Sequence, residues 1–428
     1  MMIRKLAFIL GVFIFTVQLT NAQRVKPLKD KAFLAKQQTY RSMSEAGSKK
    51  KRVYILNLDG KKLDKIPKKI AKMVNIQELY IRNNNISDIP AFIFKLPNLQ
   101  VLALGENKIS NLPKEIGNLK NLETLDLFSN YLSELPQEIG QLQSLKKLDL
   151  NWNQLMDLPE DIGNLSHLEK LYLEKNKLIN LPPTIANLTK INEIKLAENK
   201  LESLPEAFGN FVGLTELNLE KNALTILPAS LGELKNLKKL NVSQNKLTEI
   251  PNELGQLASL EEVNLSNNQL TKITANSINI SSIVSLDLSI NKISVFTANM
   301  GKMKNLLSLD ASINSLYAVP ANIGYASNLK TLYLNRNKIG RVEGSISKLS
   351  KLEVLDLSQN RIEKIDKALG NLKSLKKLNL DNNLILYFGK QLSGMSALEE
   401  LSLQNNPKLN DFQKKQIRKF FPKTEIKF

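Results

Sequence analysis

The chain has 428 residues, 42 % of them hydrophobic, 24 % charged and 6 % aromatic, with a formal charge of +19 and no cysteine. This balance excludes a disordered polymer, and the missing cysteines exclude a disulfide framework, a thiol nucleophile and any thiolate metal site. A charge of +19 would suit a polyanion-binding protein, so its distribution along the chain has to be examined.

The chain opens with MMIRK, a short basic start, followed by LAFILGVFIFTVQL, an apolar run of 14 residues, and by TNA before Gln23. Basic, apolar and small-residue segments in this order read as a secretory signal over residues 1–22. The apolar run is too short to span a bilayer, which takes about 20 residues. The mature chain is therefore expected outside the cytoplasm, whether periplasmic, on the cell surface or secreted. Residues 23–52 form a basic flank, with a helical or irregular cap expected over Val25 to Ala46 and GSKKKR as a link.

From residue 53 the sequence repeats itself. Leu122, Leu125, Leu127, Asn130, Leu132, Leu135 and Pro136 recur 23 residues on as Leu145, Leu148, Leu150, Asn153, Leu155, Leu158 and Pro159, and again as Leu168, Leu171, Leu173, Asn176, Leu178, Leu181 and Pro182. Sixteen units start at Val53, Ile76, Leu99 and so on to Leu398 without a slip of phase, filling residues 53–406 with the last unit merging into the C-terminal cap. Alternation in LxL marks a short strand with its leucines inward. A single unit cannot enclose a core, so the units must stack, with their strands in parallel and their leucines in one column.

The ninth position is asparagine in 15 of the 16 units: Asn84, Asn107, Asn130, Asn153, Asn176, Asn199, Asn222, Asn245, Asn268, Asn291, Asn314, Asn337, Asn360, Asn383 and Asn406. Its amide carries both donors and an acceptor, which suits a residue that must satisfy backbone where the strand turns out of the sheet. Lys61 replaces it in the first unit, which has no preceding unit to bond. Position fifteen is proline in all nine units from Pro67 to Pro251 and later only at Pro320; Thr274, Thr297, Glu343, Asp366 and Gly389 replace it. More variation is expected on that side of the second half, with TANSINISSIV (274–284) the prime candidate for a distorted coil. Residues 407–428 break the period. Phe412, Ile417, Phe420 and Phe421 suit one face of a capping helix that Pro422 ends.

The pattern LxxLxLxxNxLxxLPxxIGxLxx, nearly perfect in EIGNLKNLETLDLFSNYLSELP (115–136), resembles the leucine-rich repeat family in a version common in bacteria. The resemblance implies an α/β solenoid: a right-handed superhelical arc with a parallel sheet on its concave face and irregular, turn or short helical segments on the convex side. It also implies an exported binding module, with protein the leading partner class. Carbohydrate or another envelope polymer is the first rival, and a structural envelope protein held by its basic ends is the second.

The charge is concentrated at the ends. Residues 24–75 carry 16 basic and 4 acidic side chains and residues 408–428 carry 7 and 2, whereas residues 76–407 carry 35 of each. The basic N-terminal flank would suit an anionic membrane surface. Without aromatic residues among its lysines it does not suit single-stranded nucleic acid. Catalysis has little to work with: the one histidine, His167, ends a repeat with no partner set by spacing, and no cofactor motif is present. Carboxylates align at position five, as in Asp126 and Asp149 or Asp287 and Asp310, where a polar sheet face is the simpler account.

Aromatic residues interrupt the polar positions of the expected concave face at Tyr80, Phe128, Trp152, Tyr172 and Tyr333. Phe128, Trp152 and Tyr172 come from consecutive units, with Tyr131 on the adjoining edge and Asp126, Asp149, Asn151 and Glu174 around them. Aromatic residues gathered on such a face are typical binding anchors, so this cluster is the expected ligand site. A weaker second patch is expected at Ile290 and Ile313, with Arg336 and Tyr333 beside them.

Overall fold

The structure is a computed structural model that describes residues 27–278, 280–342 and 344–428. The secretory-signal segment lies outside the described residues. The chain forms two compact bodies, one comprising the chain to Leu178 with Pro182–Ile191, the other Ile179–Leu181 with Asn192–Phe428.

In the N-terminal body the repeats give three-residue strands at Ile55–Asn57, Glu78–Tyr80, Val101–Ala103, Thr124–Asp126, Lys147–Asp149 and Lys170–Tyr172. All pair in parallel with a 23-residue register, so that Leu56, Leu79, Leu102, Leu125, Leu148 and Leu171 stand in one buried column. The C-terminal body repeats the arrangement from Glu193–Lys195 to Glu400–Ser402, with Leu217, Leu240, Val263, Leu286 and their successors to Leu401 in the same role.

What ends each strand is a residue in the left-handed region. At position eight, the 15 repeats from the second onward hold a non-glycine residue at φ between 52° and 58°, and the first uses Gly60 at 66°. Such a bend points backbone groups inward that no sheet neighbour can satisfy. The asparagine that follows satisfies them. Asn130 accepts through Oδ1 from Ile109 N (2.9 Å) and donates through Nδ2 to Leu104 O, Leu127 O and Phe128 O (3.0, 3.1 and 3.3 Å). Asn268 repeats the set on Leu247 N, Val242 O, Leu265 O and Ser266 O. Two of the four partners belong to the preceding repeat, which is why the first repeat can hold Lys61.

On the opposite side each proline opens a short 3-10 helix, as in Gln137–Gln141 and Glu160–Asn164, with Pro136 O accepting from Ile139 N at 3.0 Å. The glycine of the IG pair is a matter of space: a Cβ on Gly163 would collide with the carbonyl oxygen of Thr184 in the next repeat. Where the proline is lost, the adjoining residues pair into small parallel sheets, Lys272–Ile273 with Val295–Phe296 and Arg341–Val342 with Lys364–Ile365. Thr297 N donates to Ile273 O (2.8 Å) and Asp366 N to Val342 O (3.2 Å), bonds that proline cannot make. Residues 274–278 form turns rather than a 3-10 helix, held by Thr274 N on Ser277 Oγ at 3.1 Å.

The ends are more built than the sequence suggests. Thr39–Tyr40 adds a strand beside Ile55–Asn57, flanked by α1 (Lys31–Leu34) and α2 (Met43–Gly47), and Phe33 meets Tyr54 edge to face at 5.3 Å. The expected link GSKKKR instead contains a 3-10 turn, Lys50–Arg52. At the other end α3 (Asp411–Phe420) starts from an Asn410–Gln413 capping box, and Glu425–Lys427 pairs with Glu400–Ser402. Ile417 and Phe421 are buried, Phe421 against Phe388, but Phe412 is 69 % exposed in the first turn and does not share the capping face.

If the asparagine amide closes each coil, Asn268→Ala strands the buried Leu247 N–H and removes one of two bonds from Val242 O, Leu265 O and Ser266 O, which keep Asn245 Nδ2, Asn291 Nδ2 and Gln244 N; the loss should cost about 1–3 kcal/mol. Lys61→Ala, at the equivalent position of the first repeat, should change stability by less than about 0.5 kcal/mol. Equal costs in chemical denaturation would refute the inter-repeat role.

Candidate binding surface

The strand face of the N-terminal body carries a continuous set of side chains from Tyr80 to Lys175. Tyr80, at position five of the second repeat, donates its hydroxyl to Glu78 Oε2 at 2.9 Å. Burial, with the Glu78 carboxylate beside it, pushes its phenol above the usual range. The Arg82 guanidinium lies 5.6 Å from the Tyr80 ring centre and binds Asp126 Oδ2 at 2.6 Å. Arg82 and Asp126 are two repeats apart. The gap between them is Gly105, where a Cβ would stand only 3.0 Å from Asp126 Oδ1, so the missing side chain is what lets the arginine cross. Asp126 also accepts from Phe128 N at 3.0 Å, fixing the backbone that presents the first aromatic ring.

Phe128 and Trp152 meet edge to face, with ring centres 6.4 Å apart at 65°. Trp152 occupies a left-handed position, φ 57°, an unusual place for a bulky side chain and one that costs roughly 1–2 kcal/mol. Its indole is 51 % exposed, and the Lys175 ammonium of the next repeat sits 3.6 Å from its ring centre. Tyr131, 53 % exposed, and Met156, also exposed, extend the apolar surface along the segments leaving these two repeats.

Not every expected residue is an anchor. Tyr172 is only 8 % exposed, with Lys147 Nζ 4.8 Å above its ring; it belongs to the floor of the surface, because position five points into the crowded middle of the sheet. Asp126 and Asn151 are buried and engaged, Asn151 accepting from Glu174 N at 2.6 Å and so placing Glu174 rather than facing a ligand. Asp149 lies within reach of Lys147, 3.9 Å away. Arg82, Lys175 and Met156 went unread in the sequence: the first two are common repeat residues whose roles depend on partners in other repeats, and Met156 lies beyond the strand positions.

In the C-terminal body the second expected patch is looser. Ile290, Ile313 and Arg336 all take left-handed conformations at position eight, with Ile290 44 % exposed and Ile313 half-buried. Tyr333 is not beside them in the same row but at position five, in register between Asp310 and Asp356. Asp287 and Asp310 are in register too, and each accepts from the backbone N two residues on, at 2.9 Å from Ser289 and 2.8 Å from Ser312. Burial, with the charges of Asp287 and Asp356 added, raises the Asp310 carboxyl above its ordinary value of 3.8. Among the described residues no group of three or more histidine, cysteine or acidic side chains is arranged to hold a metal ion. His167 is exposed, with only Ser166 Oγ near its ring at 3.3 Å.

Two outcomes test this geometry. Gly105→Ala should displace Asp126 from Arg82 and Phe128, at a cost of about 1 kcal/mol, and should shift the emission of Trp152, the only tryptophan in the chain; unchanged emission would contradict the coupling. Asp310→Asn keeps the bond to Ser312 N, as Asn264 does to Ser266 N at 3.0 Å, while removing a half-buried charge. Because the folded carboxyl titrates above 3.8, folding favours its protonated form and the charge penalty is fully present only above the raised value. The variant should therefore melt higher than wild type at pH 7 and lose that advantage below pH 3.8.

Comparison with known proteins agrees with the repeat architecture. The description "Leucine rich repeat" matches residues 74–132, 97–155, 213–270 and 327–385, and "Leucine-rich repeat region" matches 137–221. A leucine-rich repeat protein of Leptospira interrogans is similar at 34 % identity over 92 % of this chain and 100 % of its own, with a TM-score of 0.75. The plant peptide hormone receptor RGFR1, solved in complex with RGF2, is 26 % identical over 85 % of this chain and 69 % of its own, with a TM-score of 0.62. Toll, in the Drosophila Toll–Spätzle complex, shares the fold at 23 % identity and a TM-score of 0.73, this chain covering 55 % of its length. No curated protein matches the sequence. On the matched repeats and the Leptospira relative, the chain belongs to the leucine-rich repeat family.

Proposed function

We propose that this chain is an exported, non-enzymatic binding protein that captures a protein ligand on the strand-face surface centred on Trp152. The observation that carries the reading is the placement of Trp152. A half-exposed indole sits at a strained left-handed position, against Phe128 and beside exposed Tyr131 and Met156. Half-exposed aromatic side chains with polar neighbours supply most of the energy in protein interfaces. The arginine, lysine and carboxylates around them provide a polar rim. A relative at 26 % identity, RGFR1, was solved with its peptide hormone bound, which supports a protein or peptide ligand for this scaffold. Export rests on the order of segments in residues 1–22.

A glycan would stack on an open face of the indole, and Lys175 already occupies one face at 3.6 Å, which favours a protein ligand over a sugar. The test is cross-linking capture from envelope and medium fractions by the mature chain and by Phe128→Ala, Trp152→Ala, two forms first matched in thermal unfolding. The wild type should retain a partner that excess free sugar does not displace, and the double variant should bind it at least about 30-fold more weakly. Identical capture by both would place the interface elsewhere, and displacement by sugar would turn the reading to a glycan.

A further inference from the structure

The N-terminal body carries a second surface of different chemistry, on the side of the 3-10 turns. Between residues 49 and 72 there are ten basic side chains and two acidic ones. Lys49, Lys51 and Arg52 are exposed, and the 3-10 helix Lys68–Lys72 adds exposed Lys68, Lys69 and Lys72. The two stretches are tied together by Asn75 Nδ2 donating to Lys51 O at 2.9 Å, the bond that Asn121 makes to Pro97 O at 2.8 Å one coil after another; the turn at 50–52 thus stands where a preceding repeat would be. None of these six cations forms an ion pair with another described residue. Lysines elsewhere in the same body are used: Lys146 lies 2.9 Å from Glu123, which also attracts Lys31 at 3.9 Å.

The charge on the turns falls from the first of them to Glu160–Asn164, through Ile93–Lys95 with its single lysine, and the last, Pro183–Asn187, is uncharged. Lys68–Lys72 has three lysines and no acid, Lys114–Asn118 has Lys114 against Glu115, Gln137–Gln141 has Glu138, and Glu160–Asn164 has Glu160 and Asp161. Repulsion inside the basic cluster lowers stability and is relieved only by an external anion. We infer that this basic end docks on the surface of an anionic phospholipid bilayer, with the acidic turns held away from it. The gradient supplies the orientation, since an anionic plane attracts the first turns and repels the later ones. Nine of the ten cations are lysines, which act as mobile point charges rather than planar forks, and the large apolar residues of the same turn, Ile70 and Met73, are buried rather than offered to bases for stacking. A lipid plane therefore fits the surface better than nucleic acid.

The test is co-sedimentation of the mature chain with vesicles of phosphatidylcholine alone and of phosphatidylcholine containing about 30 mol % phosphatidylglycerol, at low and high salt, since the attraction extends over roughly 10 Å at 0.1 M ionic strength. Lys68→Gln, Lys69→Gln, Lys72→Gln is compared with Lys302→Gln, Lys304→Gln, Lys390→Gln, three exposed lysines of the other body whose loss gives the same net charge. Wild type and the second variant should bind only anionic vesicles and be released by salt. The first variant should bind on the order of a hundredfold more weakly, each basic residue near such a surface being worth about fivefold. Equal weakening by both variants, equal binding to neutral vesicles, no binding at all, or tighter binding to duplex DNA than to anionic vesicles would each overturn the inference. Matched melting curves for the three proteins exclude unfolding as the cause.

Discussion

The side-chain amide at the ninth position of every repeat after the first supplies what the backbone there cannot. A left-handed residue bends the chain out of the sheet, and the bend leaves one N–H and two carbonyls that no backbone N–H serves, beside a third carbonyl that one sheet neighbour already reaches. A single asparagine bonds all four, two of them in the coil before it, and the asparagines of adjacent coils share the carbonyls between them. Each repeat is thereby joined to its predecessor by directional bonds as well as by the leucine column. The backbone path is then fixed whatever the outward positions hold. That independence lets a tryptophan stand at position eight in one repeat where others have lysine, glutamine, asparagine or isoleucine.

On such a scaffold function is a matter of neighbours across repeats. The surface around Trp152 depends on Arg82 reaching Asp126 over a glycine, on Asp126 holding the Phe128 amide, and on Lys175 covering one face of the indole. The first and last of these contacts join residues 44 and 23 positions apart. They make a rigid platform of a row of side chains that would otherwise be separate, and rigidity reduces the cost of ordering when a partner binds. The basic turns at the start of the same body are a different device, long-range and without shape, suited to placing the protein rather than to choosing its ligand.

The periodicity made the fold legible because one spacing specifies strand, turn and stacking together, and even the exception at Lys61 followed from the bonding logic. The loss of proline after Pro251 marked the region where structure changes, although the small sheets formed there depend on a donor count, visible only once Thr297 and Asp366 are seen bonded to the previous coil. The cap strands Thr39–Tyr40 and Glu425–Lys427 left no trace in the period, being two or three residues each. At the site, the sequence located the aromatic cluster but not which rings face outward. Tyr172 and Trp152 are three positions apart in the repeat, and that difference decides between floor and anchor.

The central claim is that the Trp152 surface, rather than the remainder of the molecule, meets the ligand. The most direct measurement places a photo-cross-linking residue at Tyr131, beside the indole, and in a second protein at Tyr325, a somewhat more exposed tyrosine on a 3-10 turn of the other body. Irradiation in envelope and medium fractions should give one discrete protein adduct from position 131 that is absent from position 325. Adducts from 325 alone, or the same adducts from both, would contradict the claim.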